Sequence, residues 1–281
     1  MRELPERPVV GILHPGVMGA AIGSALKVRA GAVIWADARR SDATAKRAEL
    51  ADLIAVPDAA ELARRSDVIV SICPPHAARS VAEEVAAALA GAASPPVYVE
   101  ANAVAPATVA GIGELLGTAT VVDAAVIGPP AWERGTTVLW LAGERADAIA
   151  DLFSGTPFDA RVLGQQLGAA SALKACFALQ SKAIPAAWFA LTAAAHAYGV
   201  GAALQAELDR EGGGPGRPSA EVGWRAAQAA WRWAGEMEEA AATFAGAGLP
   251  DGFSIAAAEI YRRIARADPE ERRDVWGIAT G

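Results

Sequence analysis

Residues Val9–Asp37, VVGILHPGVMGAAIGSALKVRAGAVIWAD, decide the fold. Val9–Leu13 is a short apolar run of the kind that forms a buried strand. The turn HPGVMG follows, then a helical stretch over Ala20–Ala30, then a second strand, Ala32–Ala36, ending at Asp37. Strand, glycine-bearing turn, helix and strand in that order make the βαβ unit of a dinucleotide-binding fold. In such turns a first glycine makes the tight bend, a second lets the backbone approach a pyrophosphate, and a third lets helix and strand pack closely. Gly16 and Gly19 fill the second and third places and His14 stands in the first. Histidine tolerates a positive φ better than most residues, so the bend remains open to it. His14, Pro15, Gly16, Val17 and Met18 are therefore the candidates to lie along a dinucleotide, with simple packing as the other reading of Met18.

The alternation continues outward from this unit. Asp58–Arg65 reads as helix, Val68–Cys73 as strand, Ala77–Leu89 as helix and Val97–Glu100 as strand. Pro106–Leu116 is a helix with proline in its tolerated first turn, Val121–Ala125 a strand, Thr136–Leu141 a strand, Arg145–Phe153 a helix and Ala160–Leu163 a strand. After Gly164 everything reads as helix, over about 168–197, 202–210, 219–245 and 254–266. The expectation is an α/β Rossmann domain at 1–164, with a mostly parallel, doubly wound sheet. An all-α domain at 165–281 follows, joined to it by a long inter-domain helix. Gly212–Pro218, GGGPGRP, reads as a surface loop between helices, with a functional lid as the alternative.

Within the stretch Gly164–Gly199, the part from Ala169 to Ala197 is apolar nearly all round yet carries Ser171, Lys174, Ser181 and Lys182. At 3.6 residues per turn these fall within roughly a third of the circumference. Two of the four lysines of the chain are here. A buried ammonium needs a partner or a chemical task. Pro185 removes its own bond to the Ser181 carbonyl and should kink the helix.

Composition narrows the partners. Net charge is −7, and no stretch clusters Lys or Arg, which argues against nucleic acid and anionic membrane. The longest apolar run, Ala183–Ala195, is too short to span a bilayer, and the N-terminus has no signal-peptide core. Two distant cysteines, Cys73 and Cys176, fit a reduced cytoplasmic setting and no metal. His76 and His196 stand without partners at ligand spacing.

The end of the second strand bears on the nucleotide. Asp37 suits a ribose 2′-hydroxyl and so NAD(H). Arg39, Arg40 and Ser41 suit a 2′-phosphate, although Ser41 is also a natural helix N-cap. The two guanidiniums favour NADP(H) over NAD(H).

Taken together, these pieces resemble the β-hydroxyacid dehydrogenase superfamily, which includes 6-phosphogluconate dehydrogenase and the imine reductases. GILHPGVMG is similar to that family's GxIGxGxMG opening. SICPP at Ser71–Pro75 resembles the loop along the cofactor, which assigns Cys73, Pro74 and Pro75 to cofactor binding. EANAVAP at Glu100–Pro106 resembles DxSTxxP, with Asn102 in place of serine as a donor to nicotinamide or substrate. VDAAVIGPP at Val122–Pro130 resembles the substrate loop DAPVSGG, and GAASALK at Gly168–Lys174 resembles the segment bearing the catalytic lysine. The resemblance implies Lys174 as general acid/base between hydroxyl and carbonyl as hydride moves, and a homodimer through the helical domain. Burial lowers an amine's pKa toward neutrality, which suits that role, whereas a lysine that snorkels to solvent is the alternative.

The departures bear on substrate. Ile127, Gly128 and Pro129 replace the serine and paired glycines that hold a carboxylate, and Ala178 replaces an asparagine one turn after the lysine. A buried carboxylate without donors costs several kcal/mol, so a larger or less charged ketone, alcohol or imine is expected. Ile127, Gly128, Pro129, Ala178, Ser181, Asn102 and Lys174 are the expected substrate-side residues. Trp132 either lines that pocket or simply packs. The leading expectation is a C=O/CH–OH oxidoreductase. The alternatives are an imine reductase, or a regulatory protein that binds NADP without turnover. Trp188, Trp224, Trp231 and Trp233 point to a helix–helix or dimer core.

Overall fold

The computed structural model describes residues 3–214 and 216–267. Two compact units emerge, one up to Lys174 and one from Ala175 onward, the division falling inside a helix.

In the first unit, β1 (Val9–Ile12), β2 (Ala32–Ala36), β3 (Ile54–Val56), β4 (Val68–Ser71), β5 (Val97–Glu100), β6 (Val121–Ile127), β7 (Val138–Ala142) and β8 (Asp159–Gly164) form one sheet of order β3-β2-β1-β4-β5-β6-β7-β8. Pairings are parallel except β6 with β7, so the last two strands run against the rest. The helices between strands are α1 (Val17–Leu26), α2 (Asp42–Leu50), α3 (Ala59–Arg65), α4 (Ala78–Ala88), α5 (Pro106–Leu116) and α6 (Ala146–Leu152). They cover both sheet faces. One core gathers Ile12, Ile22, Trp35, Val70 and Leu141, and the other Leu13, Ile34, Leu62, Ile69, Tyr98 and Ile112. The expected α/β architecture is present. The sequence reading leaves 41–57 unassigned, and α2 and β3 lie there.

The chain moves outward from β1 to β3 and then returns to place β4 on the other side of β1. At such a reversal the loops after adjacent strands diverge and leave a crevice for a ligand.

The helical region comprises α7 (Ala169–Ala178), a π-helical turn (Leu179–Ala183), α8 (Ile184–Ala197), α9 (Gly201–Arg210), α10 (Ala220–Gly246) and α11 (Gly252–Arg266). The break expected at Pro185 takes the form of that π turn. With no N–H on Pro185, the ladder widens and Ile184 N–H reaches back to the Leu179 carbonyl. The second unit buries Phe189, Trp233, Met237, Tyr261 and Ile264, with the Trp233 and Tyr261 rings edge to face at 5.2 Å. Trp233 thus lies in a helix–helix core, whereas Trp224 is 66% and Trp231 59% exposed. In the glycine-rich loop Gly212, Gly213, Gly214 and Gly216 all have positive φ, and Pro215 lies outside the described residues. Among the described residues no helix is long and apolar enough to cross a membrane.

Candidate functional site

The β1–α1 turn has the form a phosphate needs, reached by a different route from the one expected. His14 does not adopt positive φ; among non-glycine described residues only Arg39 and Asp52 do. Instead Gly16 N–H closes a tight bend onto the His14 carbonyl at 2.8 Å. A Cβ on Gly16 would meet nothing within 4 Å, whereas one on Gly19 would lie 2.1 Å from the His14 carbonyl oxygen. Gly16 therefore leaves open space over the start of α1, where backbone N–H groups lack helical partners and favour an anion. Gly19 is required by packing. Pro15 is buried, Met18 is partly buried against the sheet core, and Val17 is exposed.

His14 and Arg40 bring two unmatched polar atoms to this edge. His14 Nδ1 and Arg40 Nε are buried without hydrogen-bond partners. Burial, with the Arg40 charge added, lowers the His14 pKa to about 4, so its imidazole is neutral at pH 7. Burial also lowers the pKa of Arg40, against the opposing pull of Glu84. Arg39 is exposed and paired with Glu84 at 3.1 Å. Ser41 caps α2, accepting from Thr44 N–H at 3.3 Å. Of the residues singled out after β2, Arg40 alone brings an unpartnered buried donor to this edge.

The ends of β4, β5 and β6 are knitted together by polar groups. Asn102, only 2% exposed, accepts the Cys73 N–H on its Oδ1 and donates from Nδ2 to Ser71 Oγ at 3.1 Å. Its side chain thereby ties the loop after β4 to the loop after β5. Cys73 is partly buried, and desolvation with the nearby Glu100 pushes its thiol up to about 12, so it is not a nucleophile. Pro74 and Pro75 lead into a short 3-10 turn, Pro75–Ala77, with His76 exposed.

Glu100 and Asp123 are buried carboxyls beside this cluster that the sequence reading did not single out. They are register partners on β5 and β6, both without solvent exposure. Glu100 Oε1 accepts Asn102 N–H at 2.9 Å, and Oε2 has no partner. Desolvation, with the Asp123 charge in smaller part, pushes Glu100 up to about 8 against the opposing Asn102 hydrogen bonds and Lys174 charge. Asp123 accepts Ser171 N–H at 2.9 Å and Ser171 Oγ at 2.6 Å, anchoring the first turn of α7. The available signal was an acid at the same end of two adjacent apolar strands, VYVE and VVDA. A parallel sheet buried on both faces has no solvent there for a carboxylate.

Lys174 stands one turn beyond Ser171 on α7, partly buried, with its charge acting on Glu100. Ile127 ends β6 partly buried. Gly128 follows with φ 135, and a Cβ there would lie 2.5 Å from the Thr136 carbonyl oxygen. Pro129 is exposed and its carbonyl accepts the Thr137 hydroxyl, while Trp132 is exposed. The structure thus brings Lys174, Glu100, Asp123 and Ser171 together. In the second unit, Ala178 belongs to the helical core and Ser181 Oγ donates to the Phe177 carbonyl at 2.8 Å. Lys182 pairs with Glu236 there. Among the described residues no group of His, Cys, Asp and Glu is placed to hold a metal ion.

With this geometry in hand, comparison with known proteins gives a consistent picture. Residues 9–93 match the family described as NADP oxidoreductase, coenzyme F420-dependent, and residues 195–264 match a domain of unknown function, DUF1932. No curated protein matches the chain. A conserved hypothetical protein from Sinorhizobium meliloti shares the fold at TM-score 0.68 and 21% identity, over 98% of this chain and 96% of its own. A Mycobacterium tuberculosis 3-hydroxyisobutyrate dehydrogenase with L-serine gives 0.67 and 18%, over 97% and 98%. A reductive aminase from Aspergillus terreus, in complex with NADPH4, cyclohexanone and allyl amine, gives 0.54 and 16%, over 97% and 98%. These solved structures, at 21% identity or below, share the fold of this chain.

Proposed function

We propose that this protein is an NADP(H)-dependent oxidoreductase that moves hydride between nicotinamide and a C=O/CH–OH substrate, with Lys174 as the general acid/base. The observation that carries the reading is Lys174 itself. It rides on a helix pinned to the sheet by Asp123, at the strand ends where Glu100 is buried. In the direction of reduction its ammonium gives a proton to the carbonyl oxygen; in oxidation its amine takes the proton of the alcohol. Dinucleotide binding is supported by the open space at Gly16, and the NADP preference by Arg40, whose buried Nε lacks a partner. His14, Pro15, Val17, Met18, Cys73, Pro74, Pro75 and Asn102 complete the nucleotide side of this proposal.

Ile127, Gly128 and Pro129 offer no side-chain donor to a carboxylate, which supports a ketone or alcohol less charged than a short hydroxyacid. A homodimer through the helical domain is part of the proposal, supported by the exposed Trp224 and Trp231, and sedimentation velocity checks it.

The test follows oxidation of NADPH and NADH with a panel of ketones, β-keto acids and cyclic imines, using wild type and Lys174→Ala. Turnover of a carbonyl compound, lowered on the order of 10²–10⁴-fold by the substitution, is expected. Equal turnover by both proteins rejects Lys174, better turnover with NADH rejects the Arg40 argument, and turnover of imines alone replaces the substrate class.

A further inference from the structure

We propose that Glu100 is a positioning residue for Lys174: a carboxyl sealed beneath the site whose change of charge sets how tightly the lysine holds its proton. The inference rests on the proposed role of Lys174 and gives that residue a partner.

The geometry begins with the sheet. Glu100 ends β5, flanked in register by Ser71 on β4 and Asp123 on β6. It has no solvent contact, and only one of its two oxygens is used, by the Asn102 N–H. Asp123 is the contrasting neighbour. Burial pushes its pKa up as well, but both of its oxygens take hydrogen bonds from Ser171 at the start of a helix, and these oppose that push. Two adjacent buried carboxyls cannot both ionise cheaply, and the one with fewer donors keeps its proton. That one is Glu100.

The groups around Glu100 leave Lys174 as the cation that answers its charge. On its own strand stands Tyr98, whose phenol is pushed well above its ordinary value by burial and by Glu100. From the β4 side comes Cys73, also pushed up, and from β6 comes Asp123. From α7 comes Lys174, whose charge favours the Glu100 carboxylate. Tyr98 and Cys73 stay neutral through the physiological range. Two couplings remain: Asp123 opposes the Glu100 carboxylate, and Lys174 favours it. The second is reciprocal: a Glu100 carboxylate favours the ammonium, and a Glu100 acid leaves the lysine a readier donor. Burial places the change of Glu100 charge near pH 8, close to working conditions, where an unburied glutamate would ionise near 4.5. The protein then carries its better proton donor on the acid side of that value, the side that suits reduction of a carbonyl.

The chain has only four lysines, Lys27, Lys46, Lys174 and Lys182, so each can be followed by NMR in protein labelled with ¹³C at lysine Cε. Lys174→Arg assigns the resonance. In wild type, the Lys174 signal is expected to show an inflection near pH 8 in addition to its own titration. In Glu100→Gln that inflection disappears and the Lys174 titration moves to lower pH. In Glu100→Asp, which keeps a carboxyl, an inflection persists. A single titration step in wild type, unchanged in Glu100→Gln, overturns the proposal. The wild-type curve alone decides if either variant does not fold. The readout needs no substrate, so failure of the coupling is distinct from failure of the reductase reading. That reading falls if Lys174→Ala leaves turnover intact, whether or not the inflection is present.

Discussion

Asp123 and Ser171 lock the sheet to the helix that bears Lys174: one carboxylate oxygen takes the Ser171 backbone N–H at 2.9 Å and the other its hydroxyl at 2.6 Å. Both residues are buried, so no solvent replaces either bond. Ser171→Ala should cost about 1–3 kcal/mol, because a buried carboxylate loses a donor. Asp123→Ala should cost more, since it frees both donors and leaves a cavity. Urea denaturation of the two single variants and the double variant checks this. A double variant no less stable than Asp123→Ala alone shows that the serine acts through the aspartate, and strictly additive losses show that it does not.

The glycines of the first turn divide in their tasks. Gly16 has φ −65 and open space where a Cβ would stand, so Gly16→Val should fold with nearly wild-type stability. It should nevertheless lose dinucleotide binding at least tenfold, because the side chain fills the approach to the helix terminus. Gly19→Ala should do the reverse damage first, melting several degrees lower, since its Cβ meets the His14 carbonyl oxygen at 2.1 Å. Thermal melts alongside NADPH fluorescence titration separate the two, and a Gly16→Val protein that binds normally would refute the site.

Two buried groups give stability an opposite dependence on pH. Glu100 ionises near 4.5 when exposed and near 8 in the fold, so the folded state holds an extra proton between those values. Stability should fall as pH rises through that window and level off above it. His14 is lowered from 6.5 to about 4, so the unfolded state binds the extra proton and stability should fall as pH drops through that range. Glu100→Gln should flatten the alkaline side and His14→Asn the acid side. Unfolding midpoints measured across about pH 4–9 test both. Unchanged curves in either variant contradict the assignment.

How much of this was legible depends on what each signal needs. The βαβ unit was readable because β1, β2, β4, β5 and β6 are buried apolar runs, which stand out against helices in any composition. Helix α2 was not, because of its nine residues only Ala48 is buried, and β3 is a three-residue edge strand with two residues exposed. The reversal of β7 was open to inference: no helix fits between Ile127 and Val138, and a parallel return needs a crossover. At the site, the glycines and Lys174 were visible as a pattern. The unpartnered Glu100 oxygen and the Arg39–Glu84 pair depend on which strands and helices become neighbours, and no local rule supplies that.

Lys182 makes the same point and yields the last prediction. The sequence leaves Lys182 as an ammonium in need of a partner or a task, and the fold gives it Glu236, 54 residues away. The two side chains are 15% and 10% exposed, Arg232 reaches the other Glu236 oxygen at 3.2 Å, and the ammonium lies 5.8 Å from the centre of the Trp233 ring. The Lys182 carbonyl, within the π turn, accepts the Tyr261 hydroxyl at 2.7 Å. Removing one member of a buried pair costs about 3–5 kcal/mol because the other is left uncompensated. Glu236→Gln strands the buried Lys182 ammonium, whereas Lys182→Met leaves the carboxylate with Arg232, so the first should be the more damaging. Tyr261→Phe, which strips one donor from a buried carbonyl, should cost about 1–3 kcal/mol. Urea midpoints rank the three, and a Lys182→Met protein weaker than Glu236→Gln would show that Arg232 does not share the load.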